Sequence, residues 1–307
     1  MISNMSPNQK GISHILLPLL IVIVAAIGGT YYLVSSKADQ VTSTGSVKGN
    51  TNPVDIAPDP GVPAPGTKTA TAATNKPPLK PAFSYNWSGY VMNAGKAERF
   101  NFVSGYVKVP KVKCTGEETN LSIWVGLDGW GSNSVEQDGI AAWCPPGYYT
   151  PVYNAWWEMW PHNAMQVMNL TIRPGDKIYM ETKYANGQYE FRVKNITTHK
   201  LAKKISPCTN ASCERTSAEW VIERPGYGAP TKNHRYYKLA NYGSSKIYGA
   251  KVGSGTDKPH TIQGYYQING GTGAFPVYMT DGNKNFLATV QNPLQADDRF
   301  TGKYVRH

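Results

Sequence analysis

From Phe83 to the C-terminus the chain alternates between apolar and polar residues with a period of two, and turn residues interrupt each run. Leu121, Ile123, Val125 and Leu127 alternate with Ser122, Trp124, Gly126 and Asp128. That is the pattern of a strand with one aliphatic face and one face bearing an indole and a carboxylate. Arg173-Pro174-Gly175-Asp176 forms a turn signal before Lys177–Tyr184, in which Ile178, Met180, Thr182 and Tyr184 share a face. Ala185-Asn186-Gly187 then turns the chain into a second alternating run, Gln188–Val193. There is no internal repeat and no long helical period. Short strands at this spacing predict an all-β fold, a β-sandwich of the jelly-roll or concanavalin-like kind.

The same alternation assigns faces to the chemically richest segments. In Val152–Pro161, Asn154, Trp156, Glu158 and Trp160 fall on one face and Tyr153, Ala155, Trp157 and Met159 on the other. An amide, two indoles and a carboxylate in a row make a poor core and a good groove floor. In Ser217–Pro225, Ala218, Trp220 and Ile222 form the buried side, whereas Glu219, Val221 and Glu223 point away from it. A lone strand glutamate is most simply an outward polar residue on a half-buried sheet. Several strands whose outward faces all carry Trp with Asp, Glu or Gln point instead to an aromatic, acidic cleft.

Upstream of Phe83 the composition changes. After a short tail, residues 1–14, the segment Ile15–Val34 is 20 residues long and uncharged, with Lys10 and Lys37 outside it. About 20 apolar residues suffice to cross a bilayer, and a cleavable signal peptide has a shorter apolar region. The length therefore favours an anchor in the membrane, although Ser36-Lys37-Ala38 is a passable cleavage site for secretion. Residues 35–82 hold eight prolines and no aromatic residue, the composition of an extended, disordered linker. Residues 83–307 are the expected folded domain. The formal charge is +11; six Lys and three Asp in residues 1–82 leave +8 for that domain. No basic helix or RNA-binding signature accompanies the charge, so nucleic acid is not an expected partner. A monomer is expected.

All four cysteines, Cys114, Cys144, Cys208 and Cys213, lie in the downstream part. An even count on an exported chain predicts disulfides. Cys208 and Cys213 bracket a short loop and are paired on that ground, which leaves Cys114 with Cys144. The spacings lack a CxxC pair with nearby histidines, so no zinc site, and no other metal or cofactor, is expected.

The sequence contains no GxSxG, no HExxH and no phosphate-binding glycine loop, and its histidines stand singly. Chemistry that needs only carboxylates and amides remains. One form is glycoside hydrolysis by Glu158 and Glu223, with Trp124, Trp156 and Trp160 stacking on sugars. Another is peptide hydrolysis, in which a carboxylate activates water and an amide stabilises the oxyanion. A third reading is a carbohydrate-binding groove without turnover.

Five motifs occur in order: Asn86-Trp-Ser-Gly-Tyr-Val91, Trp124-Val-Gly-Leu-Asp-Gly129, Glu136-Gln-Asp-Gly139, Tyr153-Asn-Ala-Trp-Trp-Glu158 and Ser217-Ala-Glu-Trp-Val-Ile-Glu223. Together they resemble the glutamic peptidases, the G1 family or eqolisins, from about Asn86 to the C-terminus. The resemblance implies two bent antiparallel sheets with a cleft on the concave face, a protein or peptide substrate, and a preference for acid. It implies a catalytic dyad of Gln137, from the Gln-x-Gly motif, and Glu223, which ends the last motif. It also implies supporting roles for Trp124, Asp128, Trp156 and Glu158. Two departures stand out: Gln137 is flanked by Glu136 and Asp138, and Asn154 stands where fungal members carry an acid.

Overall fold

The computed structural model describes residues 79–95, 98–208, 213–227, 235–256, 258–263, 273–296 and 298–307. The expected membrane segment, 15–34, and the linker up to residue 78 lie outside the described residues. No helix among the described residues is long and apolar enough to cross a membrane. The linker's last described residues are held by the fold: the Leu79 N–H donates to Asn292 Oδ1 at 2.9 Å, and Ala82 pairs with Val277.

Nineteen strands are present among the described residues. The first eleven are β1 (Ala82–Ser84), β2 (Trp87–Asn93), β3 (Phe100–Lys108), β4 (Thr119–Leu127), β5 (Val135–Cys144), β6 (Val152–Trp160), β7 (Gln166–Met168), β8 (Lys177–Ala185), β9 (Gln188–Asn195), β10 (Lys200–Pro207) and β11 (Ser217–Glu223). After the short β12 (Gly226–Tyr227), β13 (Arg235–Tyr236) and β14 (Lys238–Leu239) come β15 (Ser244–Ser254), β16 (His260–Thr261), β17 (Ala274–Thr280), β18 (Phe286–Val290) and β19 (Phe300–Tyr304). The expected hairpin is the β8–β9 turn at Asn186-Gly187. Both residues have positive φ, 51° and 76°, the twist that a two-residue hairpin loop requires.

All strands except β12 and β13 belong to one hydrogen-bonded sheet. Its backbone is an antiparallel ribbon in the order β7-β6-β5-β4-β11-β2-β17-β18-β19-β15-β3-β8-β9-β10. Only β1 on β17 and β14 on β4 pair parallel. The two ends of the ribbon meet face to face. The Trp220 indole N–H of β11 donates to the Ser104 carbonyl of β3 at 2.8 Å, and Trp157 of β6 packs on Phe191 of β9 with ring centroids 5.3 Å apart. This arrangement is consistent with the expected β-sandwich.

The shared core is built from the aliphatic sides that the alternation identifies. Leu121, Ile123, Val125 and Leu127 meet Ala218, Trp220 and Ile222 from one end of the ribbon and Val103, Val107, Ile178, Met180, Phe191 and Val193 from the other, all buried. Each large side chain so buried contributes about 1.5–3 kcal/mol. The disulfides are Cys114–Cys144 and Cys208–Cys213, with Cα separations of 5.5 and 6.3 Å, as the spacing leads one to expect. The first closes a separation of 30 residues and anchors the entry to β4 against the end of β5. On loop-closure entropy, a link of that span contributes roughly 3–4 kcal/mol.

Candidate active site

Residues directly opposite one another on neighbouring strands share a face. The registers of β11, β4, β5 and β6 therefore lay out three rows on the side of the sheet away from the core. The first row reads Glu219, Gly126, Gln137, Glu158. The second reads Val221, Trp124, Gly139, Trp156. The third reads Glu223, Ser122, Ala141, Asn154. One face thus brings together Gln137, Glu223, Trp124, Trp156, Glu158 and Asn154, contributed by four strands that are distant in the chain.

Glycine makes this face possible. A Cβ on Gly139 would lie 2.3 Å from the Ile123 carbonyl oxygen and 2.6 Å from the Trp124 Cβ. The Trp124 indole can lie across the strand only because nothing projects there. Gly139→Ala should therefore push Trp124 off its position and cost about 1–3 kcal/mol or more of stability through overpacking. A lowered melting temperature together with loss of activity is the expected result, read by thermal melts alongside any turnover assay.

The position of Trp124 matters because its Nε1–H donates to Glu223 Oε2 at 2.7 Å. The other oxygen, Oε1, accepts from Asn86 Nδ2 at 2.8 Å, and Asn86 Oδ1 in turn accepts from Ser84 Oγ at 3.1 Å. Glu223 is partly exposed, with its carboxyl clamped by neutral donors. Burial pushes its pKa up to about 7, against the lowering effect of the hydrogen bonds from Trp124, Asn86 and Trp87. Asn86 and Trp87 are the site residues that strand periodicity does not reveal. Asn86 lies one position before β2, where alternation carries no information, and its role depends on β2 lying beside β11.

Gln137 is 5% exposed and its Nε2 donates to Glu158 Oε2 at 2.8 Å. Its Oε1 is buried and finds no partner among the described residues; the same holds for Nε1 of Trp156. Burial and the nearby charge of Glu223 raise the Glu158 pKa to about 8.

Asp128 does not join this group. The strand ends at Leu127, and Asp128 takes a φ of 65°, which breaks the alternation that had placed it beside Trp124. Its carboxylate accepts from the Arg215 N–H at 2.5 Å and from the Thr216 N–H and Oγ1 at 2.8 and 3.1 Å. Asp128 thereby pins the loop that leads into β11. Glu219 shares the face of Gln137, yet it is not a solvated carboxylate: it is fully buried beside Ser217 and the Trp130 backbone, and burial raises its pKa well above the ordinary range. The carboxyls flanking Gln137 turn the opposite way, into the core. Asp138 accepts from the Arg192 N–H at 2.7 Å, and Glu136 lies by Tyr189, Ser134 and Asp128.

Comparison with known proteins bears on this geometry. The sequence model of the Peptidase A4 family matches residues 85–286. Scytalidopepsin B of Scytalidium lignicola is 30% identical over 141 residues, which cover 45% of this chain and 51% of that protein. Aspergillopepsin-2 of Aspergillus niger is 26% identical over 195 residues, 56% of this chain and 66% of that protein. The chain thus spans about half to two thirds of the length of these curated relatives. A crystal structure of scytalido-glutamic peptidase with a peptide-based transition-state analogue superposes with a TM-score of 0.58 at 20% identity, covering 72% of this chain and 99% of that one. SCP-B, described as a member of the eqolisin family and solved with the tripeptide Ala-Ile-His, superposes with a TM-score of 0.56, also at 20% identity and with the same coverage. At these identities the structural likeness establishes a common fold.

Proposed function

The chain belongs to the Peptidase A4 family, the glutamic peptidases, and on that premise we propose that it is an endopeptidase using Gln137 and Glu223. The observation that carries this reading is the clamped, partly exposed Glu223 carboxyl on the same sheet face as the Gln137 amide. Glu223, ionised, takes a proton from a water molecule as the water oxygen attacks the scissile carbonyl carbon. The Gln137 amide N–H donates to the oxyanion that forms. The C–N bond then breaks, and the protonated Glu223 returns its proton to the leaving nitrogen. An oxyanion donor of this type lowers the barrier by about 3–4 kcal/mol. The domain that does this is a sandwich of two bent antiparallel sheets, residues 83–307, with its cleft on the face described above.

Glu158 sets the orientation of the amide. When protonated it can donate to Gln137 Oε1, the buried oxygen that otherwise lacks a partner, which leaves Nε2–H free for the substrate. Oxygen and nitrogen of the amide exchange by a half-turn of the last side-chain torsion. Asn154 and Trp156 line the same surface, and the unpartnered Trp156 indole N–H is a second donor within the cleft. Asp128 supports the site at a distance by fixing the loop before β11.

The working form has Glu223 ionised and Glu158 protonated. With values of about 7 and about 8, that form is most populated between those two values, well above the strongly acid range that the resemblance implies. The rate should follow a bell in pH, with Glu223 setting the acid limb and Glu158 the alkaline limb. Glu158→Gln removes the ionisation behind the alkaline limb and leaves the burial that raises Glu223 in place. The expected profile loses its alkaline limb and keeps its acid limb, in kcat/KM against pH on a fluorogenic peptide. A Glu158→Gln profile that keeps its alkaline limb contradicts this role.

The substrate class is protein or peptide, and no cofactor is required. All proposed site residues come from one chain, so a monomer suffices. The two disulfides fit a chain exported from the cytoplasm, with residues 15–34 as anchor or signal segment and 35–82 as tether. Digestion of an unfolded protein with mass-spectrometric reading of the cut sites tests the activity. Cleavage at internal peptide bonds that pepstatin does not block is the expected result, and an intact substrate at every pH between 3 and 8 overturns it.

A further inference from the structure

Between β4 and β5 the chain bends through Gly129-Trp130-Gly131-Ser132, which carries one large ring to the side of Trp87 and Phe275. Gly129 and Gly131 take φ values of 114° and 82°, so Trp130 stands between two left-handed positions that favour glycine. The turn is pinned at several points. The Gly129 N–H donates to Ser132 Oγ at 2.8 Å, Ser132 Oγ donates to the Ser134 carbonyl at 3.2 Å, and the preceding Asp128 is bound to Arg215 and Thr216. A Cβ on Gly129 would lie 2.7 Å from the Trp87 ring, so the turn backbone rests directly on that indole.

The Trp130 ring lies 6.3 Å from that of Trp87 and 5.5 Å from Phe275 of β17, which it meets edge-on. Trp87 in turn meets Trp124 edge-on at 5.0 Å, and Trp124 donates to Glu223. Trp124 is fully buried, whereas Trp87, Trp130 and Phe275 each remain partly exposed. Large rings that are held in fixed positions, partly open and contiguous with one another mark an interaction surface more than scattered apolar residues do. Here they form one continuous wall that begins at the residue touching the proposed base, which places an apolar surface beside the proposed site of bond cleavage.

We infer that Trp130, Trp87 and Phe275 form a subsite that takes an aromatic or large aliphatic side chain of a peptide substrate, next to the bond being cut. The inference rests on the peptidase reading and adds to it a substrate preference. Trp130 is the specificity-determining member, because it is carried by the turn rather than by the sheet and touches none of the groups assigned to bond cleavage.

The test uses the full-length chain and two peptides that differ only in carrying Phe or Ala beside the scissile bond. The wild type should cleave the Phe peptide with a kcat/KM about 10- to 100-fold higher than the Ala peptide. In Trp130→Ala that ratio should collapse towards one, through a raised KM for the Phe peptide, with the Ala peptide cut at the wild-type rate. Phe275→Ala gives the same reading should Trp130→Ala fail to fold, and Trp130→Phe should restore most of the preference. No preference in the wild type, or an equal loss on both peptides, overturns the subsite. If the wild type cuts neither peptide, the peptidase reading falls and the subsite is judged by binding. Isothermal titration of both peptides into wild type and Trp130→Ala then supports it if a 10-fold or larger Phe preference disappears in the variant, and sinks it if the wild type binds both alike.

Discussion

Replacing Glu223 by glutamine is expected to reduce peptide hydrolysis by about 100- to 10,000-fold, the range associated with losing a general base. Glutamine keeps the shape of the side chain and its carbonyl oxygen can still accept one of the hydrogen bonds from Asn86 and Trp124. It cannot take a proton from water, and its NH2 must face one of the two donors. The loss should therefore appear in kcat, with KM changed only modestly. Stability should be unchanged or slightly raised near neutral pH, because a partly buried carboxylate that resists ionisation has been removed. A melting curve that matches the wild type beside a lost kcat is the expected pair of observations. Retained activity in a folded Glu223→Gln protein would remove the base from the mechanism.

A second large effect lies in the core. Glu136 and Glu219 are fully buried, Asp138 likewise, and burial raises all three. Glu136 reaches about 8, faced by Asp128, Tyr189 and Ser134; Asp128 and Glu136 also bear on Glu219, and Glu181 bears on Asp138. The unfolded chain releases these protons near pH 4–4.5. Between that value and the folded pKa the native state binds more protons than the unfolded state, so stability falls as pH rises. It is complete below about pH 4.5 and, for Glu136, is lost progressively up to about pH 8, a difference on the order of 5 kcal/mol. Glu219 and Asp138 act in the same direction. For a domain of this size the melting temperature should drop by about 10–20 °C across that interval. Thermal melts at a series of pH values show this directly, and Glu136→Gln should flatten the slope. A melting temperature that stays level or climbs from pH 4.5 to pH 8 contradicts the assignment.

Much of the site was legible from period-two alternation because β4, β6 and β11 run without a break. That regularity places Trp124, Trp156, Glu158 and Glu223 away from the core residues Val125, Trp157 and Ile222. Asp128 escapes it, since the chain turns to positive φ one residue after the strand ends. Glu219 has its face correctly assigned, but no local pattern reveals that the turn around Trp130 covers it. Glu136 and Asp138 are the reverse case. Their alternation with Gln137 already turns them inward, and only long-range partners such as the Arg192 N–H explain how the core accepts Asp138. Asn86 depends on which strands are neighbours, and the pairing of β2 with β11 joins residues far apart in the chain. Cys208 and Cys213, by contrast, are joined by nearness alone.

The measurement that bears most directly on the Gln137–Glu223 dyad is casein digestion by Gln137→Ala beside the wild type, across a pH series, with thermal melts confirming that both are folded. A two-carboxylate or purely binding cleft makes no demand on this amide, whereas an oxyanion donor is worth about 100- to 1,000-fold in kcat. A folded Gln137→Ala protein that loses activity by that factor at every pH is the predicted result; one that digests casein at close to the wild-type rate contradicts the dyad.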